Sequence, residues 1–454
     1  MIDASAYQGE TIGVFGLARS GLAAVAALDA GGAQVLAWDD AEERRAASLP
    51  LADLYAQDFA DLDALCLSPG VPLTAPKPHP LAQKAAEADV PIIGDVEIFA
   101  RARPGLPQHY VVGITGTNGK STTTALLAHV LSSAGRQAVA AGNIGEAILA
   151  IEPLGEGGIY VLELSSFQID LTHSLACDIA ILLNISPDHL DRHGTMAGYV
   201  AAKRRLFEMQ RPSGVAIVSV DDAYARRLVE GLAQSVVPIS AQGPVAGGCY
   251  AEGGFLIDDL VGEGVPAGRL DELPTLRGRH NWQNAIAAYA AARFLGVTPE
   301  AAFTGLRSFA GLAHRCEIVA SHGGVTFIND SKASNADAAA RALSAYEDVF
   351  WIAGGRAKEG GFAPLLAELE NVRRAYLIGE AADALAAELR GSVSAEICGK
   401  LETAVVAAAR DAAESGGVVL LSPACASYDQ FSDFEARGEA FRAAVGAVIG
   451  KGAA

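Results

Sequence analysis

The chain is short of positive charge: 34 Lys and Arg stand against 53 Asp and Glu, a formal net charge of -19. That balance argues against a general nucleic-acid or acidic-membrane binder, so any anionic substrate has to be caught by local cations set into motifs. Paired cysteines are lacking too. Six lie scattered at 66, 177, 249, 316, 398 and 425 with no CxxC or other zinc spacing, which points to reduced, metal-free thiols. No apolar run approaches the roughly 18 residues of a membrane span; the longest, such as "IAILLNI", are strand-length. The opening "MIDASAYQGE" has neither a basic stretch nor an apolar core. No signal peptide is expected, and the cytoplasm is the expected compartment. Low-complexity tracts and tandem repeats are also missing.

What is present is a large apolar fraction, 51% of 454 residues, enough for several cores and, at roughly 100–200 residues per domain, two to four domains. The first section, "TIGVFGLARSGLAAVAALDAGGAQVLAWDD", reads as strand, glycine turn, Ala-rich helix and second strand, and "ALCLSPG" supplies a third. This βαβ rhythm predicts a parallel sheet. The next section starts near "PGLPQHYVVGITG", continues through "GIYVLELSS", "DIAILLNIS" and "GVAIVSV", and closes around the helical "HNWQNAIAAYAAARFLG". The last begins near "GLAHRCE", with His322-Gly323-Gly324 as a hairpin turn, and alternates helices with "VFWIAGG", "AYLIGE" and "VVLLSPACAS".

The densest chemical signal is "GITGTNGKSTTT" from Gly113, between a β-branched run and a helical pattern. Backbone N–H groups at a helix N-terminus offer donors and a partial positive pole to phosphate. Gly116 and Gly119 let the backbone approach closely, Lys120 reaches terminal phosphates, and Ser121 or Thr122 can ligate Mg²⁺. Thr117 and Asn118 complete the turn. The alternative is an ordinary strand–turn–helix joint; the Lys-Ser-Thr run favours the phosphate loop. In contrast, glycines 13, 16 and 21 of "GVFGLARSG" do not fit a dinucleotide fingerprint. The helix start after Ala18 can still take a diphosphate on the amides around Arg19 and Ser20.

Other candidates follow buried strands. Glu163 in "LELSSFQ" is either an edge charge or a magnesium ligand. "NISPDHLDRHG" supplies Asp188, His189, Asp191, Arg192 and His193, although imidazole is an unusual partner for hard Mg²⁺. Lys203 in "AAKRRLFE" is either a solvated helix lysine or one of lowered pKa bearing a modification; the residues alone leave both open.

Taken in order, "GITGTNGKST", "GNIG", "LELSSFQ", "NISPDHLDRH…AAK", "GRHNWQNA", "LAHRCE", "INDSKASN" and "LSPACASYDQF" resemble the Mur ligases along the whole chain. The phosphate loop and "HNWQNA" are shared with folylpolyglutamate synthases; "DSKASN" and "LSPACASYDQF" are more specific. The resemblance implies an α/β protein of three domains. Residues 1–98 would be a Rossmann-like, UDP-binding domain, 99–311 a central P-loop-type ATPase with a mostly parallel sheet, and 312–454 a Rossmann-like domain for the amino acid. It implies ATP-dependent phosphorylation of the carboxylate of UDP-N-acetylmuramoyl-L-alanine and attack on the acyl phosphate by D-glutamate. Only small-molecule partners are implied, with no nucleic acid and no membrane, and the chain is expected to be a monomer. A folate-type ligase would begin with the ATPase section, and a non-catalytic sensor of nucleotide sugars would lack Lys120, Glu163, His189 or Lys203.

Residue by residue, the resemblance gives Lys120 to the β- and γ-phosphates, Ser121 and Glu163 to one Mg²⁺, and His189 with an N6-carboxylated Lys203 to a second. Asn143, Ser165 and His189 resemble groups beside the acyl substrate, and Ala18, Arg19, Ser20, Asp39, Ser68 and Gly70 resemble its nucleotide-sugar contacts. Asn284, His314, Arg315 and Asp330 match the ATP set, with Asp330 on the ribose. Lys332 resembles a transition-state contact, brought to the phosphate by closure of the last domain. Ser334, Lys358, Ser427 and Phe434 match the D-glutamate pocket; Ser334 also reads as a helix N-cap, with Asp337 three positions on. The sequence departs from the family pattern at Ala41, Arg356 and Tyr428.

Overall fold

The computed structural model describes residues 1–358 and 361–452. Among these the strands form three sheets. Strands β1 (Thr11–Phe15), β2 (Gln34–Trp38), β3 (Ala64–Leu67) and β4 (Ile92–Ile93) make the first, all parallel, in the order β2-β1-β3-β4. The chain leaves β1 toward one side for β2 and returns to its other side for β3. That reversal opens a crevice at the carboxyl ends of β1 and β3, where doubly wound sheets bind ligands. Helix Arg19–Ala30 connects β1 to β2. Between β2 and β3 only the short 3₁₀ turns Glu42–Arg44 and Phe59–Asp61 occur, so the βαβ rhythm breaks there and resumes with helix Pro80–Glu87 between β3 and the parallel β4.

The second sheet comprises β5 (His109–Thr115), β6 (Ala138–Gly142), β7 (Gly158–Glu163), β8 (Ile179–Leu182), β9 (Val215–Ser219), β10 (Ser235–Ser240), β11 (Cys249–Glu252), β12 (Phe255–Asp258) and β13 (Val265–Arg269). Its order is β13-β12-β11-β10-β9-β8-β5-β7-β6. Every residue of β7 and β8 is buried, which is why they read as unbroken apolar runs instead of alternating ones. The parallel part ends at β11; β11–β12–β13 pair antiparallel. These last strands carry Gly, Asp and Glu among their apolar residues and were not expected from the sequence.

The third sheet holds β14 (Glu317–His322), β15 (Val325–Asn329), β16 (Val349–Gly354), β17 (Val372–Ile378), β18 (Ala395–Gly399) and β19 (Gly417–Leu421), in the order β14-β15-β19-β16-β17-β18. β14 and β15 form the expected hairpin, with Gly323 and Gly324 at φ +58° and +82°, the double positive φ of a type I′ turn. The other pairs are parallel.

Contacts divide the chain into two compact units. Residues 1–269 and 283–307 form one, containing the first two sheets, and residues 270–282 and 308–454 form the other. Within the first unit a shared apolar core runs from Ile12 and Val14 of β1 through Phe99 to Tyr160 and Leu162 of β7. All six cysteines are free thiols. No helix among the described residues is long and apolar enough to cross a membrane.

Candidate functional site

β5 ends at Thr115 and helix Lys120–Ser133 begins five residues later, with Gly116 at φ +151° and Gly119 at φ +87° between them. Gly119 has a second constraint: a Cβ there would lie 2.2 Å from Asn284 Oδ1. The turn is held from outside by amides. Asn184, 6% exposed at the end of β8, accepts from Asn118 N–H on Oδ1 (2.9 Å), donates to Asn118 O (3.0 Å), and through its own carbonyl accepts from Thr117 N–H (2.8 Å). Gln283 accepts from Asn184 Nδ2 (2.8 Å), and Thr123 donates to Asn284 Oδ1 (3.2 Å). Lys120 Nζ donates to Gly116 O (2.9 Å) and Thr117 O (2.8 Å), so its cation lies against the loop. Ser121 is buried and Thr122 half-buried on the first helical turn. Asn184 and Gln283 were missed by the sequence reading, although both lie inside quoted motifs. Their signal was a polar residue directly after an apolar strand and a second amide on the helix that carries Asn284.

Register brings Glu163 to this turn. β5 and β7 pair with Ile114 opposite Glu163. Glu163 is 2% exposed; Oε1 accepts from Asn143 Nδ2 (3.0 Å), and Oε2 has no hydrogen-bond partner among the described residues. Burying an ionisable oxygen without a partner is costly, so a cation or donor placed against Oε2 would be stabilising. Ser165, expected at the acyl substrate, accepts from Gln168 N–H in a capping box of helix Ser166–Asp170.

Lys203 resolves one open alternative. It is not solvated: at 1% exposed on helix Met196–Glu208, its Nζ donates to Gly116 O (2.9 Å) and sits 4.5 Å from the Tyr199 ring centroid. Burial, reinforced by the Lys120 charge, pushes its pKa well below the ordinary lysine value, which favours the neutral amine. Tyr199 OH in turn lies 3.2 Å from Thr117 Oγ1. His189 is an exposed residue at φ +54°, its ring 4.7 Å edge-on to Phe167 and its Nε2 3.4 Å from Asp188 Oδ2. His314, Cys316 and Ala424 also hold positive φ. These four lie in the quoted motifs, whereas Asp89 and Asp348, also at positive φ, do not; strained backbone of this kind collects at functional loops. No three His, Cys, Asp or Glu side chains converge on a metal position among the described residues.

The first sheet builds a second glycine turn. Gly16 (φ +96°) packs under Ser68, whose Oγ donates to Gly16 O (3.1 Å). Asp39, 5% exposed at the end of β2, accepts from Leu17 N–H (2.7 Å) and Ala41 N–H (2.8 Å), with Arg44 Nη1 at 3.5 Å. Burial works to raise its pKa, but these N–H groups and the Arg44 charge outweigh it and the carboxyl sits below its ordinary value. Ala18 caps helix Arg19–Ala30 without a side-chain bond, leaving the amides around Arg19 and Ser20 at the crevice. Arg19 also reaches Gly145 O, tying this turn to the "GNIG" loop that carries Asn143. Gly70 lies in the turn after β3, where Val71 N–H closes on Ser68 O (2.9 Å).

In the second unit, Asp330 ends β15 buried, accepting from Cys316 N–H (3.1 Å) and Ser422 Oγ (2.8 Å). Burial pushes its pKa up to about 6. His314 is buried beside Asn329, whose Nδ2 is 3.0 Å from His314 Nδ1, and Arg315 follows it half-buried. Lys332 Nζ stands 3.6 Å from the centroid of the Phe434 ring, a cation–π contact. Arg437, also missed, is 1% exposed and stitches two motif loops together, donating to Ser331 Oγ (3.0 Å), Ser331 O (2.8 Å) and Cys425 O (3.1 Å). Its burial lowers its pKa to about 10. Ser427 is buried, Ser334 half-buried and Lys358 exposed. The N-cap expectation for Ser334 is corrected: helix Ala336–Leu343 is capped by Asn335, whose Oδ1 accepts from Ala338 N–H (2.8 Å), which frees the Ser334 hydroxyl from that task.

A lysine-bearing glycine turn beside a buried carboxylate, at the carboxyl ends of a mostly parallel sheet, is the arrangement of a nucleotide-binding α/β enzyme. The chain belongs to the Mur ligase family: the Mur ligase middle domain matches residues 114–292, and the glutamate ligase domain of Mur ligases matches residues 314–425. The particular relatives are named UDP-N-acetylmuramoylalanine–D-glutamate ligase. That of Caulobacter sp. (strain K31) is 51% identical over 467 residues, covering 100% of this chain and 99% of its own. That of Phenylobacterium zucineum (strain HLK1) is 50% identical, covering 98% of each. Among solved structures, UDP-N-acetylmuramate-alanine ligase from Thermotoga maritima aligns at TM-score 0.60 and 18% identity, covering 96% of this chain and 99% of its own. A pseudomurein peptide ligase type C from Methanothermus fervidus aligns at 0.57 and 17%, covering 97% and 100%. These structural likenesses support the fold.

Proposed function

We propose that the chain is an ATP-dependent ligase that joins D-glutamate to UDP-N-acetylmuramoyl-L-alanine through an acyl phosphate, in cytoplasmic synthesis of a peptidoglycan precursor. Relatives of about 50% identity over the full length carry that name. The single observation behind the chemistry is the buried Glu163 carboxylate, one oxygen unpartnered, in register with the strand that leads into the lysine turn. The division at residues 98 and 311 into UDP-binding, ATPase and amino-acid domains is part of the proposal, as is the monomeric state.

Two anions must meet when a carboxylate attacks a γ-phosphate, so the protein's work is positioning and charge stabilisation. The amides of Gly116 to Gly119 and the Lys120 cation take the β- and γ-phosphates. The amides of Arg19 and Ser20, with Asp39, Ser68 and Gly70, take the nucleotide sugar; Asn143 and Ser165 take its acyl end. The alanyl carboxylate oxygen bonds to the γ-phosphorus as the bond to ADP breaks. The D-glutamate amine then attacks the acyl carbon, phosphate leaves, and the nitrogen loses its extra proton. Asn284, His314, Arg315 and Asp330 are assigned to ATP, Lys332 to the transferred phosphoryl group, and Ser334, Lys358, Ser427 and Phe434 to D-glutamate.

The donor set fits magnesium. Ser121 and Glu163 offer hard oxygens, and Glu163 Oε2 has no hydrogen-bond partner among the described residues. A neutral Lys203 amine reacts with CO₂ and loses a proton to give a carboxylate, which would join His189 at a second ion. Bound there, Mg²⁺ would neutralise charge on the phosphoryl oxygens. The test is ADP release with UDP-N-acetylmuramoyl-L-alanine and a panel of amino acids of both chiralities. D-glutamate alone should support turnover, and equal turnover with L-glutamate or a neutral D-amino acid would refute the assignment.

A further inference from the structure

We propose that Arg192 is a positioning residue that fixes the nucleotide-sugar turn of the first sheet against the loop carrying His189. The inference rests on the function above and concerns a residue to which that reading gives no task. Arg192 Nη1 donates to Gly70 O (2.9 Å) and Nη2 to Val71 O (3.0 Å). The two bonds span consecutive carbonyls of the turn after β3, 121 and 122 residues away in sequence. The same guanidinium lies over the Phe167 ring at 4.4 Å from its centroid. Phe167 is also met edge-on by His189 (4.7 Å) and stacked by His193 (5.5 Å, 18°). His193 Nε2 closes the cluster on Ser166 Oγ (2.9 Å).

Arg192 lies on the single-turn helix Leu190–His193, for which His189 is the cap. A shift of that turn therefore moves His189, and a shift of residues 68–71 moves the groups assigned to the nucleotide sugar. The inner side of that turn is already anchored, by Ser68 N–H on Phe15 O (3.0 Å) and Ser68 Oγ on Gly16 O (3.1 Å). Arg192 holds its outer side. A planar fork suits this task because it grips two carbonyls with a fixed spacing while its flat face rests on an aromatic ring; an ammonium is a compact point charge that does not fix that spacing and orientation together. The arrangement couples the distance between acyl donor and phosphoryl group to one side chain, and a misplacement of about 1 Å costs roughly 100-fold in rate.

The experiment compares wild type, Arg192→Lys and Arg192→Ala in steady state, titrating UDP-N-acetylmuramoyl-L-alanine and ATP separately. Arg192→Ala is expected to lower kcat about 100-fold and raise KM for the nucleotide sugar about tenfold, leaving KM for ATP within about twofold. Added guanidinium should restore part of the Ala variant's rate, and Arg192→Lys should remain well below wild type. Wild-type turnover in the same assay carries the functional reading; the ratios of the variants to it carry the role of Arg192. Unchanged kinetics in both variants would overturn the proposal. So would KM values for both substrates rising together with a lower melting temperature and no response to guanidinium, since that pattern belongs to general loosening.

Discussion

The protein contains the same local plan twice, strand then glycine turn then helix, and finishes it differently. At Gly16–Ser20 the turn is short, carries Arg19, and is fastened by an acid: Asp39 accepts the Leu17 N–H at 2.7 Å. At Gly116–Lys120 the turn is fastened by the neutral amide of Asn184 and the helix after it by Asn284, and two lysines, 120 and 203, converge on Gly116 O. An acid beneath the turn reduces its positive potential; at the second turn burial, helped by the Lys120 charge, lowers the pKa of Lys203. The first arrangement suits a stable diphosphate that is only held. The second suits a terminal phosphoryl group that must be drawn off and handed on. Topology is common to both, and the charge of the supporting residues separates them.

The comparison breaks first at its cations. Lys120→Ala should lower the rate of phosphate release by about 1000-fold or more, because the transferred group loses its main counter-charge; near-normal turnover would refute the loop assignment. Lys203→Ala should lose most activity and regain part of it with short carboxylates such as acetate or formate. A fully active Lys203→Ala enzyme would rule out the carboxylated lysine.

Smaller effects separate the two turns from each other. Gly119→Ala sets a Cβ at positive φ and 2.2 Å from Asn284 Oδ1, and Gly16→Ala does the same 2.3 Å from Ser68 Oγ. Each should cost about 1–3 kcal/mol of local strain, roughly tenfold to 100-fold in one KM. Gly119→Ala should act on ATP and Gly16→Ala on the nucleotide sugar; both variants moving the same KM would erase the distinction. The smallest effect concerns Asp39, whose folded-state pKa is lowered. Its contribution to stability is present above its unfolded pKa of about 4 and is lost as pH falls through the lower folded value. Asp39→Asn should flatten that part of the melting temperature against pH, whereas Asn184→Ala should lower the curve without changing its slope. An unaltered slope for Asp39→Asn would show that the first turn is not held by charge.

Much of this was legible before any coordinates. Apolar runs bounded by polar residues marked β1, β5, β7, β8, β9, β16, β17 and β19, because strands buried on both faces leave an unmistakable pattern. The lysine turn was legible because its chemistry needs adjacent residues. The parts that stayed hidden depend on distant pairings. Asn184 and Gln283 matter only because β8 lies beside β5, and Arg437 only because the last helix passes under two loops. The short strands β11 to β13 lack a run long enough to show. Ser334 was misplaced as a cap because Asn335, an equally good cap, is its neighbour, and local sequence does not choose between adjacent polar residues. Burial decided Lys203, a property that the two arginines following it disguise.

The central claim is that the lysine turn passes a phosphoryl group to a carboxylic acid. The most direct measurement uses UDP-N-acetylmuramoyl-L-alanine labelled with ¹⁸O in its alanyl carboxylate, with ATP and D-glutamate. Mass analysis of the inorganic phosphate should find one ¹⁸O carried over per turnover, since the oxygen bonded to phosphorus leaves with it. Unlabelled phosphate accompanied by amide product would contradict the account.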